Sequence, residues 1–201
     1  MAIGVKASAS LGSLSLAMSA ILNGSCTKDY ILELVALETS GKSRTEKVNR
    51  TIRRMTVNNQ LLPFIKEHSH EFLANSIQGT NKTAVYTALM CAAYPLFYDL
   101  VTLLGKHFHV QDEVPTSLII AKLSEKYGSS VDSTIGFNSA IKMLVEAGLI
   151  TRPETGIYKA CRLSGLSDFS LSFYKKAFLV NNPTYSELDN IETYPYFEFI
   201  S

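Results

Sequence analysis

Six basic side chains lie within thirteen residues: Lys42, Arg44, Lys47, Arg50, Arg53 and Arg54, opposed by Glu46 alone. The chain as a whole is close to neutral, with 19 Lys and Arg against 18 Asp and Glu, so this run is a local excess of five positive charges. Lys47, Arg50 and Arg54 are spaced by three and four and would share one face of a helix, while Val48, Ile52 and Met55 would fall on another. Like charges at that spacing destabilise an isolated helix by about 0.2–0.5 kcal/mol per pair. A row of phosphates removes the repulsion and releases counterions. Most charge runs are solvated surface, but the scarcity of interleaved acids favours a ligand-facing surface here. Lys42, Ser43, Arg44, Lys47, Arg50, Arg53 and Arg54 are the first candidate contacts to DNA.

The second candidate group is more polar than charged. Thr134, Asn138 and Lys142 follow one another by four and four, which brings them to nearly the same face of a helix. The amide of Asn138 has the donor and acceptor needed to bond adenine in two places, and Lys142 suits a base edge or a phosphate. Arg152, Lys159 and Arg162, further along, are candidates for flanking phosphates, which position a module without reading sequence.

Other chemistry is not indicated. His68 and His70, and His107 and His109, are pairs at spacing two, which do not share a helix face and make no ready metal site. No Gly-rich phosphate loop, nucleophile elbow, kinase motif or pair of acids stands out, so neither an enzyme nor a cofactor is expected. Cys26, Cys91 and Cys161 are odd in number, far apart and free of any Cys-x-x-Cys, which points to unpaired thiols in a reducing cytoplasm.

The polar stripe needs a helix, and the pattern predicts one over 131–146, after a first helix over 116–127 and a break at Gly128-Ser129-Ser130. Ile135, Phe137, Ile141, Leu144 and Val145 are its expected buried positions. Asp132, Ser133 and Thr134 stand where short polar side chains cap free N–H groups, and Gly148 is its expected stop. Two β-prone runs, 149–151 and 157–161, flank a turn over 152–156. Helix, turn, helix and hairpin is the layout of a winged helix, which in many proteins sets its second helix in the DNA major groove. Winged helices also bind proteins, so an interaction adaptor remains the alternative function.

The basic run needs a helix as well. Ser43-Arg44-Thr45-Glu46 matches a capping box, predicting a helix that runs to about Met55. Helices over 11–22 and 27–38 precede it, the latter with Thr27 as cap and Tyr30, Ile31, Leu34, Val35 and Leu37 inward. The three make a second helix-turn-helix with 43–55 as its recognition helix. Residues 1–10 read as a loose lead, and residues 1–22 lack the apolar core of a signal peptide. A helical pattern over 58–77 is broken near Pro63. The run 83–108 is apolar nearly all round, the expected central post of the fold, kinked or broken at Pro95. Within it, Asp99 should bond a hydroxyl or pair with a Lys or Arg. The pattern changes after Leu163: residues 167–180 are rich in Phe, Tyr and Leu, Asn181-Asn182-Pro183 interrupts them, and a tail bearing Glu187, Asp189, Glu192 and Glu198 follows. The tail aromatics Tyr194, Tyr196, Phe197 and Phe199 must bury against this chain or a partner.

The expected class is mainly α: a helical body with helix-turn-helix and winged-helix units around a central apolar helix, and a small hairpin wing. Its expected regions are 1–80, 81–110, 111–165 and an acidic aromatic extension over 166–201.

Three stretches carry a resemblance. They are Ser43-Arg44-Thr45-x-Lys47 with Ile52-Arg53-Arg54, the run from Ala88 to Ala93 with Tyr94, Tyr98 and Asp99, and Leu144-Val145-Glu146-Ala147-Gly148-Leu149-Ile150. In this order the chain resembles BrxA, a small helical protein family of bacterial bacteriophage-exclusion (BREX) defence systems, over roughly residues 14–149. It departs from the family at Pro95 and in the acidic aromatic tail. The resemblance implies a non-enzymatic, DNA-binding accessory component of a phage-defence system. Double-stranded DNA and other defence proteins would be its partners. Family members have been labelled inner-membrane proteins. Tyr86, Tyr94, Pro95, Tyr98 and Asp99 within 85–104 argue against a span in this chain.

Overall fold

The computed structural model describes residues 4–186 and 189–201, so Glu187 and the first three residues of the expected lead lie outside the described residues. The described chain is mainly helical with a small three-stranded antiparallel sheet. Three helices open it: α1 (Leu11–Leu22), α2 (Tyr30–Glu38) and α3 (Lys42–Met55). Two short helices, α4 (Leu62–Glu67) and α5 (Ser69–Asn75), lead into the central pair α6 (Gly79–Ala93) and α7 (Pro95–Phe108). The winged helix follows as β1 (Glu113–Pro115), α8 (Thr116–Tyr127), α9 (Val131–Ala147), β2 (Ile150–Glu154) and β3 (Ile157–Ala160). Helix α10 (Asp168–Asn181) and a 3-10 turn at Pro195–Phe197 complete it.

The central post is two helices rather than one. A residue before proline is pushed out of the helical region by the proline ring, and Tyr94 is extended, with ψ 121°. Pro95 then opens α7 at a position where its missing N–H costs nothing. Every residue from Thr83 to Ala93 is buried, which is why the α6 pattern is apolar all round. The break leaves carbonyls at the end of α6 without helical partners, and side chains from distant helices supply donors. Arg54 Nε reaches Ala93 O at 3.1 Å, and Asn181 Nδ2 reaches Cys91 O at 3.0 Å. Among the described residues no helix is long and apolar enough to cross a membrane.

The winged helix has one strand more than the sequence pattern predicts. β1 pairs with β3, Val114 opposite Tyr158, and β3 pairs with β2, Ile150 opposite Ala160. A three-residue strand with one buried position is too short for its period to be read. The expected turn over 152–156 is shorter than predicted, because β2 continues to Glu154 with an irregular register after Thr151. Pro153 has no N–H for a ladder, which suits a bulge on an edge strand. Within α9 the side chain of Ser130 accepts from Ser133 N at 3.1 Å, so Ser130 is the cap. Gly148 ends the helix in the left-handed conformation, φ 83°. Asp99 has both expected partners. Lys126 Nζ lies 2.7 Å away and the Tyr127 hydroxyl donates to it, which ties α8 to α7. Burial and that bond to a carboxylate both push the Tyr127 phenol up.

The C-terminal aromatics bury in this chain. Tyr196, Phe197 and Phe199 are buried, Tyr174 Oη donates to Tyr196 O at 3.2 Å, and Leu163 N donates to Phe199 O at 2.7 Å. α10 itself packs along α6, so the region from residue 166 onward is part of the core. Gly105 lets the tail in: a Cβ there would stand 1.8 Å from Pro195 O. The described cysteines are all free, Cys91 buried and Cys26 and Cys161 half-buried.

Candidate nucleic-acid interface

Lys, Arg and Met form helices readily, and in α3 the apolar stripe Val48, Ile52 and Met55, with Thr51, turns inward. The stripe rotates the bases outward, leaving Lys42, Arg44, Lys47 and Arg50 exposed. The expected capping box does not form. The helix begins one residue earlier, its cap is Gly41, and no side chain caps it, so Ser43 lies inside the first turn. Thr27 likewise does not cap α2, which starts at Tyr30 after Asp29. Leu37, expected inward on α2, is 86% exposed.

Two of the six bases face elsewhere. Arg54, besides its bond to Ala93 O, stacks its guanidinium over the Tyr94 ring at 5.8 Å. Arg53 is half-buried, and its Nη1 donates to Lys28 O at 3.4 Å.

The lead is a connector rather than a loose segment. Val5 and Ala9 are buried, and Thr51 Oγ1 donates to Ala7 O at 3.2 Å, fastening it to α3. On its other side Lys6 pairs with Asp132 of α9 at 3.6 Å, and Leu11 N donates to Glu146 Oε1 at 2.7 Å. The segment therefore joins α3 to α9. Between them lies an open cleft of about 410 Å³, lined by Lys6, Ser43, Arg44 and Lys47 on one side and Ile135 and Ser139 on the other. Its uncapped α3 N-terminus, with exposed N–H groups and a positive dipole end, adds to the attraction for anions.

On α9 the predicted stripe is partly presented. Asn138 and Lys142 are exposed. Thr134 is half-buried, and its Oγ1 donates to Ser130 O at 3.2 Å. Ile135 was expected in the core but is 46% exposed and lines the cleft. The buried row passes through Ser133, Phe137, Ala140, Ile141 and Leu144, and Ile135 sits to one side of it. Lys6 and Ser139 face the same cleft without any mark in the sequence, because nothing local brings the lead beside α9.

The wing residues divide. Arg152 is exposed beside the bulge. Lys159 is paired with Glu113 at 2.9 Å, and the hydrogen bond and charge of that carboxylate raise its pKa. Arg162 holds Glu198 at 2.8 Å, with His109 on the same carboxylate at 3.0 Å, so it pins the tail. Partial burial works to raise the Glu198 pKa, but the bonds from Arg162 and His109 outweigh it and hold the carboxyl below its usual range. His68 stacks on Phe64 at 4.3 Å, and among the described residues no group of three or more His, Cys, Asp or Glu is placed to hold a metal.

The structure thus sets Ser43, Arg44 and Lys47 of α3 on the same cleft as Ile135 and Ser139 of α9, and leaves Lys42, Arg50, Asn138, Lys142 and Arg152 exposed. It gives Arg53, Arg54, Lys159 and Arg162 other partners. Comparison of the chain with protein-family models, with curated proteins and with solved structures finds no match.

Proposed function

We propose that this chain is a non-enzymatic, double-stranded-DNA-binding protein of the cytoplasm. It would act as an accessory part of a multi-protein phage-defence assembly, the setting its resemblance to the BrxA family implies. The observation that carries the DNA reading is the shared cleft: a basic helix and the second helix of a winged helix open onto one surface, joined by Lys6. In this reading Lys6, Lys42, Arg44, Lys47 and Arg50 meet phosphates, Asn138 and Lys142 meet base edges, and Arg152 meets a flanking phosphate. The adaptor alternative would use the winged helix and the aromatic tail; Tyr196, Phe197 and Phe199 are buried in this chain, which leaves the winged helix as its support.

The test is a mobility-shift titration of random and selected duplexes at two salt concentrations. With about five phosphates engaged, affinity should fall about 10²–10³-fold between about 50 and 200 mM salt. Folded protein that retards no duplex at the lower salt would end this reading.

A further inference from the structure

The basic run contains a residue that the DNA face does not use. Arg53 turns away from the α3–α9 cleft and lines a second one, between the loop after α1, the end of α3 and α4. Lys28 and Lys66 line it too. No acid lines this cleft, and none of the three cations makes an ion pair among the described residues. Asp29 and Glu67 adjoin Lys28 and Lys66 in sequence, but neither lines the cleft or pairs with those ammonium groups.

One nitrogen of the Arg53 guanidinium donates to Lys28 O at 3.4 Å, which leaves the rest of the five-donor fork for a planar or tetrahedral anion. Ile21, Val57 and Leu62 give the same cleft apolar lining, and Gly24, Cys26 and Thr27 complete it. The cleft measures about 300 Å³, the lower end of the range for small organic ligands, which begins near about 300 Å³. That is roomier than a bare inorganic anion needs, and too small for a dinucleotide.

We infer that this cleft binds a phosphate monoester carrying one compact organic group with an apolar face, of the size of a nucleoside monophosphate. The three cations would take the phosphate dianion, with Arg53 bidentate. Ile21, Val57 and Leu62 would cover the organic body. The site is separate from the DNA face and stands whether or not the chain binds DNA, since Lys28 and Lys66 belong to neither helix of the shared cleft.

Isothermal titration of the full chain with adenosine 5′-monophosphate, adenosine and inorganic phosphate tests it. The nucleotide should bind one to one with a Kd below about 1 mM, and adenosine and phosphate each about tenfold or more weaker. Lys66→Ala changes an exposed side chain and should leave the fold intact, which thermal melting checks. It should weaken the nucleotide about fivefold or more, with duplex DNA affinity unchanged within about twofold. Arg53→Lys keeps the charge and loses the fork, and should weaken the nucleotide as well. Absence of saturable nucleotide binding overturns the inference. So does phosphate binding as tightly as the nucleotide, or Lys66→Ala and Arg53→Lys both binding it as the parent does.

Discussion

Both α3 and α9 close a run of consecutive helices, yet they are charged and capped in opposite ways. α3 presents Lys42, Arg44, Lys47 and Arg50 and has no capping side chain. α9 presents Lys142 as its single base, offers Asn138 and Ser139, and is capped by Ser130. In the proposed DNA-binding reading, the contrast separates two tasks. A helix of stacked cations with an open N-terminus supplies sequence-independent attraction, whereas amide and hydroxyl groups on a well-fastened helix suit base reading. Fastening differs as well: α9 belongs to a unit tied to α7 through Asp99, while α3 is tied to the core by Arg54, one of its own bases.

The largest effect should come from stripping α3. Arg44→Ala, Lys47→Ala and Arg50→Ala together should lower duplex affinity about 10²-fold across unrelated sequences and reduce the salt slope by about one per lost phosphate contact. Mobility shifts over a salt series measure both, and an unchanged slope in a folded triple variant would reverse the assignment of tasks.

Next is the fastening of the winged helix. Asp99→Ala orphans the half-buried Tyr127 hydroxyl and the Lys126 ammonium, and should cost about 2–3 kcal/mol in urea unfolding. Amide exchange should rise in α8 and α9 and not in α3. A uniform rise would mean that the two units do not differ in how they are held.

Asn138→Ala and Arg152→Ala sharpen the reading half of the contrast. The first should remove about 1–2 kcal/mol of discrimination between selected and random duplexes, with less loss of total affinity. The second should weaken all duplexes alike and lower the salt slope by about one. Competition titrations decide between them, and the roles assigned to α9 fall if both variants match the parent.

Capping gives a smaller difference. Ser130→Ala should destabilise the protein by about 1 kcal/mol, and Ser43→Ala by nearly nothing, because Ser43 is not a cap. Equal losses in thermal unfolding would restore the capping box on α3.

The smallest effect concerns pH. The Glu198 carboxyl is held below its usual value, so its contribution is present above the unfolded value of about 4.3. It is lost as pH falls through the lower folded value. Near-ultraviolet dichroism of the tail tyrosines should therefore change in mild acid, and Glu198→Gln should flatten that change. Duplex affinity of the same variant near neutral pH should match the parent. A loss of DNA binding would return Arg162 to the interface.

Much of this architecture is legible residue by residue. The bounds of α1 and α8 follow from helical spacing and from breakers beside them, Asn23-Gly24 and Gly128. Gly148 ends α9 within one residue of the expected place. The class, mainly α with a small wing, follows from periods of 3.6 and 2 that depend on nearest neighbours alone. Pro95 dictates a break because its ring acts on the residue just before it.

What local spacing cannot carry is the company each residue keeps. Six bases in a row look equivalent as sequence. Packing turns Arg54 to the end of α6 and Arg53 to another cleft, and leaves four on the open face. Lys159 and Arg162 look free until the sheet and the tail set Glu113 and Glu198 beside them. The shared cleft itself depends on a connector whose Lys6 is 126 positions from Asp132. Contacts at that separation are decided by which apolar faces bury against one another. The composition and periodicity of the chain therefore determined which helices form and where they stop, and tertiary packing alone decided which of their charges meet other groups of the chain.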